Sequence, residues 1–348
     1  MHTITASNQV GYSSRQANIS HPLAFRVDLA SGDRTRVDIH FKSRPRQTRL
    51  ENELHPKAQG GPIINKDSPP GPYPFGVALS PQRTPFAPLL YSGRMSQGFR
   101  TAAEVGFHAV ELSLRSTEEV KSDELKDLLD QFDLSLAAIA TGRSCIEDTL
   151  CLCNPDAEIR NRVVQRIKSI IQFAAPFNAP VIIGGIRGRL EGTAIEQSHQ
   201  REAAVDSIRE CVVYAKDCHV SILIEPINRY ETNFINTVND GITLLDQISE
   251  PSAKLLLDTF HMNIEEVDIS ASIQSAGTRL GYIHFADNNR LAPGQGHIDF
   301  TEILQSLISI NYHGIITVEI LPLPDDATAM HQASAFLKTL NDQISRNL

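Results

Sequence analysis

The chain has 348 residues, which is enough for one large domain with a tail or for two domains of average size. With 41% hydrophobic and 21% charged residues, its composition is that of a globular protein and excludes a fibrous or largely disordered chain. The net charge of −9 argues against nucleic acid as the main partner, because proteins that neutralise phosphates show a basic face.

Neither a membrane span nor a secretory signal is indicated by the apolar pattern. No apolar run approaches the ~18 residues needed to cross a bilayer, and no charged start precedes an apolar segment, so we expect no membrane partner and a cytoplasmic location. The cysteines form neither an even-numbered disulfide framework nor a paired C-x2-C zinc motif, and all are expected to be reduced thiols. They are Cys145, Cys151, Cys153, Cys211 and Cys218.

Residues 1–72 differ in kind from the rest of the chain. They carry ten Lys or Arg against six Asp or Glu, whereas the other 276 residues carry 22 against 35. The segment shows no sustained helical or strand period and ends in a turn-rich stretch, so an irregular, mobile N-terminal extension is predicted, followed by a catalytic domain over residues 73–348. An added strand pair over residues 25–41, around the turn Ser31-Gly32-Asp33, is the alternative.

From residue 75 onward, short apolar runs rich in β-formers alternate with amphipathic helical stretches. This alternation is typical of parallel strands joined by crossover helices. The eight runs are FGVAL (75–79), AVELSL (109–114), SLAAIA (135–140), PVIIGG (180–185), SILIEP (221–226), KLLLD (254–258), YIHFA (282–286) and IITVEI (315–320). Eight such repeats predict an α/β fold, a (β/α)8 TIM barrel, with an open doubly wound sheet as the alternative.

Polar side chains occur at the ends of four consecutive strands of the predicted barrel. They are Glu225 in strand five, Asp258 in strand six, His284 in strand seven and Glu319 in strand eight. Because the C-terminal ends of barrel strands meet at one mouth, we expect these side chains to converge. Buried carboxylates are costly unless they are paired or bind a metal, and oxygen ligands with one imidazole suit Mn²⁺, Mg²⁺ or Co²⁺, with zinc left open. Taken singly, each acid also fits a helix N-cap, and the histidine fits a hydrogen-bonded core residue.

Four stretches of the sequence carry a resemblance to a known family. LIEPINRYETN, LLLDTFHMNIEE, YIHFADNNRLAPGQGHIDF and TVEI resemble the metal and substrate segments of the sugar phosphate isomerase/epimerase family, the xylose-isomerase-like TIM barrels. Over residues 75–340 the chain is most similar to ketose 3-epimerases of the D-tagatose/D-psicose 3-epimerase type. The resemblance implies one divalent ion, Mn²⁺ foremost with Co²⁺ or Mg²⁺ as alternatives. Its implied ligands are Glu225, Asp258, His284 and Glu319.

The same resemblance implies catalytic and substrate-binding roles. Glu225 and Glu319 would act as the acid and base in addition to binding the metal. The residues that it implies contact a sugar substrate are Glu231, His261 and Arg290. Independently of the resemblance, Glu111 within strand two is expected to face the pocket and contact the substrate, with a cap or a residue facing the bottom of the barrel as the alternative. The family also implies a homodimer or a homotetramer.

This set of residue types suits proton transfer next to a carbonyl group. A divalent metal polarises the carbonyl, and two carboxylates on opposite faces of an enediolate can exchange the proton of the adjacent carbon. We predict a metal-dependent sugar epimerase or isomerase, foremost a ketose 3-epimerase, although the same ligands fit aldose–ketose isomerisation. A lyase-type relative acting on a 3-keto-glycoside or a keto-inositol is the alternative. An AP-endonuclease-like nuclease and a non-catalytic carbohydrate-binding protein are more distant alternatives.

Three weaker signals lie in predicted loops. The Gly-rich stretch GGIRGRLEG after strand four carries Arg187 and Arg189, and we expect a solvated loop there, with phosphate binding as the alternative. Asp299 lies just before a predicted helix and is expected to cap it. Cys151 and Cys153 are expected to pack in the interior rather than to line the barrel mouth.

Overall fold

The computed structural model describes residues 73–85 and 88–346. The predicted extension over residues 1–72 and the alternative strand pair over residues 25–41 lie outside the described residues. They therefore stay predictions, as does the domain boundary between residues 72 and 73. Within the described ranges, no helix has both the length and the apolar character that a bilayer crossing needs.

Eight parallel strands close into a barrel in sequence order, with β1 paired to β8. The strands are β1 Phe75–Leu79, β2 Ala109–Ser113, β3 Ser135–Ala140, β4 Val181–Ile183, β5 Ile222–Ile224, β6 Ala253–Asp258, β7 Leu280–Phe285 and β8 Ile316–Val318. Each strand falls on one of the eight apolar runs of the sequence. The predicted TIM barrel is confirmed, and closure through β1 and β8 excludes the open sheet.

Helices surround the barrel and connect its strands. They are α1 Met95–Val105, α2 Ser122–Phe132, α3 Arg143–Asp148, α4 Ala157–Ala174, α5 Ala194–Asp217, α6 Val238–Ile248, α7 Thr259–Glu265, α8 Ile269–Ala276, α9 Phe300–Ser309 and α10 Asp326–Ser345. Side-chain caps begin several of them, because the first backbone N–H groups of a helix lack partners within it. Asp299 accepts from the N–H groups of Thr301 and Glu302, so the predicted cap of α9 is confirmed.

The inward-facing and outward-facing residues of the strands form two separate apolar clusters, and the inward face also carries residues at the barrel mouth. Successive strand residues point to opposite faces, so residues two apart share a face. A small cluster that includes Leu223, Leu256 and Tyr282 fills the barrel interior. Two positions further along β6 and β7, the same inward face carries Asp258 and His284. The outward residues pack against the helices in a much larger core.

The prediction that all five cysteines are reduced thiols was wrong for one pair. Cys145 and Cys151 form a disulfide, whereas Cys153, Cys211 and Cys218 are free. Cys145 lies in α3, and the chain reverses after that helix so that the two Cα atoms are 4.9 Å apart, within the range that a disulfide spans. The prediction was wrong for this pair because a spacing of six residues indicates no disulfide until the turn that folds it back is known.

Removing this disulfide should lower the free energy of unfolding. For the short loop it closes, chain entropy alone gives a loss of about 2 kcal/mol in the Cys145→Ser/Cys151→Ser variant. Urea unfolding of the oxidised protein measures the loss, and Cys218→Ser, which removes a free thiol, is the control. Identical urea midpoints for the double variant and the oxidised parent would contradict the prediction.

Candidate metal centre and active site

Four buried side chains meet at the C-terminal mouth of the barrel. Glu225 directly follows β5, Asp258 ends β6, His284 is the penultimate residue of β7, and Glu319 directly follows β8. Each offers one ligand atom, and these atoms all lie within 4.8 Å of one another. The Cα atoms of Asp258 and His284 are register partners across β6 and β7. The barrel thus brings together the four residues that the sequence predicts as metal ligands.

The buried polar atoms of the cluster that lack hydrogen-bond partners are suited to bind a divalent cation. Asp258 Oδ1 accepts from the Phe260 N–H at 2.8 Å, while its Oδ2 is buried without a hydrogen-bond partner. His284 Nε2 is hydrogen-bonded to Glu111 at 2.8 Å, while its Nδ1 is likewise buried and unpartnered. Leaving such atoms unsatisfied is costly, and a cation would satisfy both. Three carboxylates and one imidazole form a set of mostly hard ligands, as Mn²⁺, Mg²⁺ or Co²⁺ prefers.

Electrostatic repulsion and burial make this cluster hold protons when no cation is bound. Burial, aided by the charge of Glu319, raises the pKa of Glu225 to about 8. Burial also raises the pKa of Asp258 to about 6, although Arg290 opposes the shift. For His284 burial acts to lower the pKa, but the Glu111 carboxylate outweighs it and raises the value to about 10. A cation would therefore compete with protons for these ligands.

The raised carboxyl pKa values predict that the metal-free protein loses stability as pH rises. Glu225 binds a proton more readily in the folded than in the unfolded chain, so its contribution to stability falls as pH rises from about 5 to 8. The slope should approach at most ~1.4 kcal/mol per pH unit for this group. Urea unfolding in chelator should show the wild type losing stability relative to Glu225→Gln over this window. A constant difference between the two proteins would contradict the shift.

Glu111 lies behind the cluster rather than beside an open pocket. It is fully buried in β2, and its carboxylate is hydrogen-bonded to Nε2 of His284, which lies 173 positions further along the chain. This contact fixes the orientation of the ring that presents Nδ1 to the cluster, as carboxylate partners of metal-binding histidines do. The structure therefore places Glu111 as a positioning residue for His284, which differs from the substrate contact expected for it.

Replacing Glu111 by glutamine should weaken metal binding. The charged partner of His284 is lost while the size of the side chain is kept, and the affinity for Mn²⁺ should fall about 10- to 100-fold. Calorimetric titration with Mn²⁺ measures this, and Glu118→Gln, which removes an exposed acid near the same edge of the barrel, is the control. Equal affinities in Glu111→Gln and the parent would show that His284 needs no such partner.

The other predicted substrate residues surround the cluster. His261 Nε2 lies 3.8 Å from Glu225 Oε1 and 3.8 Å from Asp258 Oδ2. Burial, reinforced by the charges of Arg290 and His284, lowers the pKa of His261 well below its usual value, so its ring is neutral. A neutral ring in this position can donate to or accept from a substrate hydroxyl.

Arg290 connects the metal cluster to the rim of the mouth. Its guanidinium donates to Glu319 Oε2 at 2.5 Å and lies 3.5 Å from both Asp258 Oδ2 and Glu231 Oε1. Its Cζ lies 4.6 Å from the centroid of the Phe260 ring. Glu231 is the most exposed of this group, with 44% of its side chain accessible. The arrangement supplies donors and acceptors for a polyhydroxylated ligand directly above the cluster.

Two positioning residues were missed by sequence reasoning. Asn228, 1% exposed, donates to Glu231 Oε1 at 2.9 Å and pairs with His261 Nδ1 at 2.8 Å. Asp287 accepts from the backbone N–H groups of residues 288, 294, 296 and 298, and so holds together the loop that carries Arg290. Both lie just after a strand, and that position was the available signal.

The loop after β4 corrects one prediction. Arg187 is only 1% exposed, and its guanidinium donates to the backbone carbonyls of Ile183, Phe234 and Ile235. It is therefore neither solvated nor directed at a phosphate. The prediction was wrong for Arg187 because the sequence pattern did not show that the chain after β5 covers it. Arg189 is exposed, as expected of a solvated loop. Cys153 packs in the core and Cys151 packs against it, as expected, although both also line a cavity at the mouth.

The closed barrel with a carboxylate–imidazole cluster at its C-terminal mouth defines a class of metal-binding β/α barrels. The sequence profile of the xylose isomerase-like TIM barrels matches residues 99–340, and the chain belongs to this family. It is 31% identical to an L-ribulose 3-epimerase of a Methylomonas species over 236 residues, which cover 66% of this chain and 82% of the relative. It is 33% identical to a D-psicose 3-epimerase of Enterocloster bolteae over 223 residues, which cover 62% and 73%.

The fold agrees with that of a related crystal structure. A D-allulose 3-epimerase from a Methylomonas species superposes with a TM-score of 0.66 at 25% identity, covering 78% of this chain and 99% of that protein. The relatives are carbohydrate epimerases, and this chain has a buried cluster of residues that could hold a metal ion. It is an enzyme of the carbohydrate epimerase and isomerase class.

Proposed function

We propose that this protein is a metal-dependent ketose 3-epimerase in which Glu225 and Glu319 exchange the proton on C3 of the substrate. The observation that carries the proposal is the placement of these two carboxylates. They arise from β5 and β8, three strands apart, and reach one cluster from different sides of the mouth. Two acid/base groups on different sides of one substrate are what inversion at a carbon requires. The 3-epimerase names of the relatives support the same reaction.

The two glutamates differ in surroundings, which suits different proton-transfer roles. A divalent cation bound by the cluster would supply Lewis-acid polarisation of the substrate carbonyl. Glu225 lies against the ring of His261, whose Nε2 is 3.8 Å from Glu225 Oε1. Glu319 is held by the guanidinium of Arg290, which fixes the direction of its carboxylate. One carboxylate removes the C3 proton to give an enediolate, and the other returns a proton to the opposite face.

The residues around the cluster orient the sugar for this transfer. His261 is neutral and lies against both Glu225 and Asp258, so it can bind a hydroxyl that neighbours the reacting carbon. Arg290 and Glu231 offer a donor and an acceptor at the rim. Correct orientation matters, because proton transfer needs a carboxylate oxygen within hydrogen-bond reach of the reacting C–H group.

The test is proton exchange followed by NMR in D₂O. The protein is incubated with D-fructose, D-tagatose or L-ribulose and with Mn²⁺, Co²⁺ or Mg²⁺. Deuterium at C3 together with the C3 epimer is the expected result. Deuterium at C1 with an aldose product would instead show isomerisation, and an unsaturated or cleaved product from a 3-keto-glycoside would show a lyase. Absence of C3 exchange with all three ketoses and all three metals would reject the proposal.

A further inference from the structure

A cavity of about 450 Å³ opens beside the metal cluster, between the loops that follow β3, β4 and β5. Its apolar walls include Ile146, Pro155, Ile227 and the Cys145–Cys151 disulfide. None of the four cluster residues is among those that line it. The cavity is therefore additional to the space in which the reacting carbons would lie. Its volume falls within the range of small-molecule pockets, roughly 300 to 1,000 Å³.

The cavity and the cluster are contiguous. Glu231 lines the cavity and also lies 3.5 Å from the guanidinium of Arg290, which contacts Glu319 and Asp258. On the other side, the Glu225 carboxylate packs against the backbone of Gly184, where any Cβ would collide with it, and the next residue, Gly185, lines the cavity. A ketose with C2 and C3 at the cluster would reach this cavity with its distal carbons.

The charges around the cavity favour a neutral occupant. Its lining contains two acids, Glu191 and Glu231, against one cation, Arg189, which donates to the backbone carbonyl of Tyr230 at 3.2 Å. The nearby guanidinium of Arg187 is turned to backbone carbonyls and is unavailable to a ligand. A phosphate would meet net negative charge here. A second sugar ring suits it better, because its hydroxyls can donate to the two carboxylates while its C–H faces pack on Ile146 and Ile227.

We propose that this cavity binds a neutral glycosyl group on the distal end of the ketose, so that the enzyme accepts O6-glycosylated ketoses and discriminates against 6-phosphates. This inference rests on the proposed 3-epimerase function. It names the substrate class of the same site, and it assigns the disulfide-bridged segment after β3 to substrate selection.

The experiment compares three probes that share one ketose. They are D-fructose, isomaltulose, which is D-fructose with a glucosyl group on O6, and D-fructose 6-phosphate. Initial rates of C3 deuterium exchange are measured in D₂O with saturating Mn²⁺. We expect the KM of isomaltulose to be about tenfold below that of D-fructose, and the kcat/KM of the phosphate to be at least about tenfold below it. Exchange with D-fructose but not with isomaltulose, or best exchange with the phosphate, would overturn this inference alone. Exchange with none of the probes would overturn the proposed function and this inference with it.

A variant that narrows the cavity gives an independent test. Ile146 is 52% exposed, so Ile146→Trp adds volume at the cavity wall without disturbing the core. The ratio of kcat/KM for isomaltulose to that for D-fructose should fall about tenfold. Val213→Trp, a change of similar size at a 51% exposed position of α5, should leave the ratio unchanged. An unaltered ratio in Ile146→Trp would show that the glycosyl group lies elsewhere.

Discussion

Glu225→Gln and Glu319→Gln should each abolish C3 proton exchange while leaving the barrel folded. Glutamine keeps the shape of the side chain but cannot take up or return the substrate proton, and a general acid or base contributes roughly 10² to 10⁴ in rate. Loss of a ligand charge should reduce the rate further, so we expect a fall of at least about 10³-fold. NMR exchange rates in D₂O measure the effect, and circular dichroism monitors the fold.

The control for this prediction separates proton transfer from metal binding. Asp258→Asn also removes one charge from the cluster, but Asp258 has no assigned proton-transfer role. Raising the Mn²⁺ concentration should restore much of the activity of Asp258→Asn and little of that of the two glutamate variants. Glu104→Gln, an exposed change on α1, should behave as the parent. Robust exchange in both Glu225→Gln and Glu319→Gln would reject their assignment as the acid/base pair.

Complete removal of divalent metal should abolish activity and lower stability. Without the cation, no group of the cluster polarises the substrate carbonyl, and the buried carboxylates repel one another unless they are protonated. Dialysis against a chelator should reduce exchange to background, and Mn²⁺ at 100 times its Kd should add about 2.7 kcal/mol to the free energy of unfolding. Full exchange by a sample with far less than one metal ion per chain would contradict this.

The pH dependence of metal binding should follow from the same cluster. Because Glu225 and His284 hold protons near neutral pH in the metal-free protein, the cation must displace them. Apparent affinity should therefore rise with pH, in the opposite direction to the stability of the metal-free chain. Because Glu225 is both a proposed acid/base group and a proposed metal ligand, activity should follow metal loading at low pH.

The amino-acid sequence by itself determined the strands and the four residues of the candidate metal cluster. The strands are short, strongly apolar runs separated by amphipathic helices, and this local pattern persists whatever the tertiary contacts are. The four cluster residues were predictable because each is a polar residue at the end of an apolar strand, and in a parallel barrel all strand ends meet at one mouth. Asp299 was predictable as a cap for an equally local reason.

Only the tertiary structure decided which side chains position the cluster residues and which surface a substituent on the sugar would contact. Glu111 contacts His284 because barrel closure brings β2 and β7 to one interior, and no pattern in either strand indicates the other as its partner. Arg187 is buried because the chain after β5 covers it, and Cys145 pairs with Cys151 because the chain reverses after α3. Such contacts depend on the direction of side chains from distant elements, whereas hydrophobic periodicity specifies only which face of its own element a residue occupies.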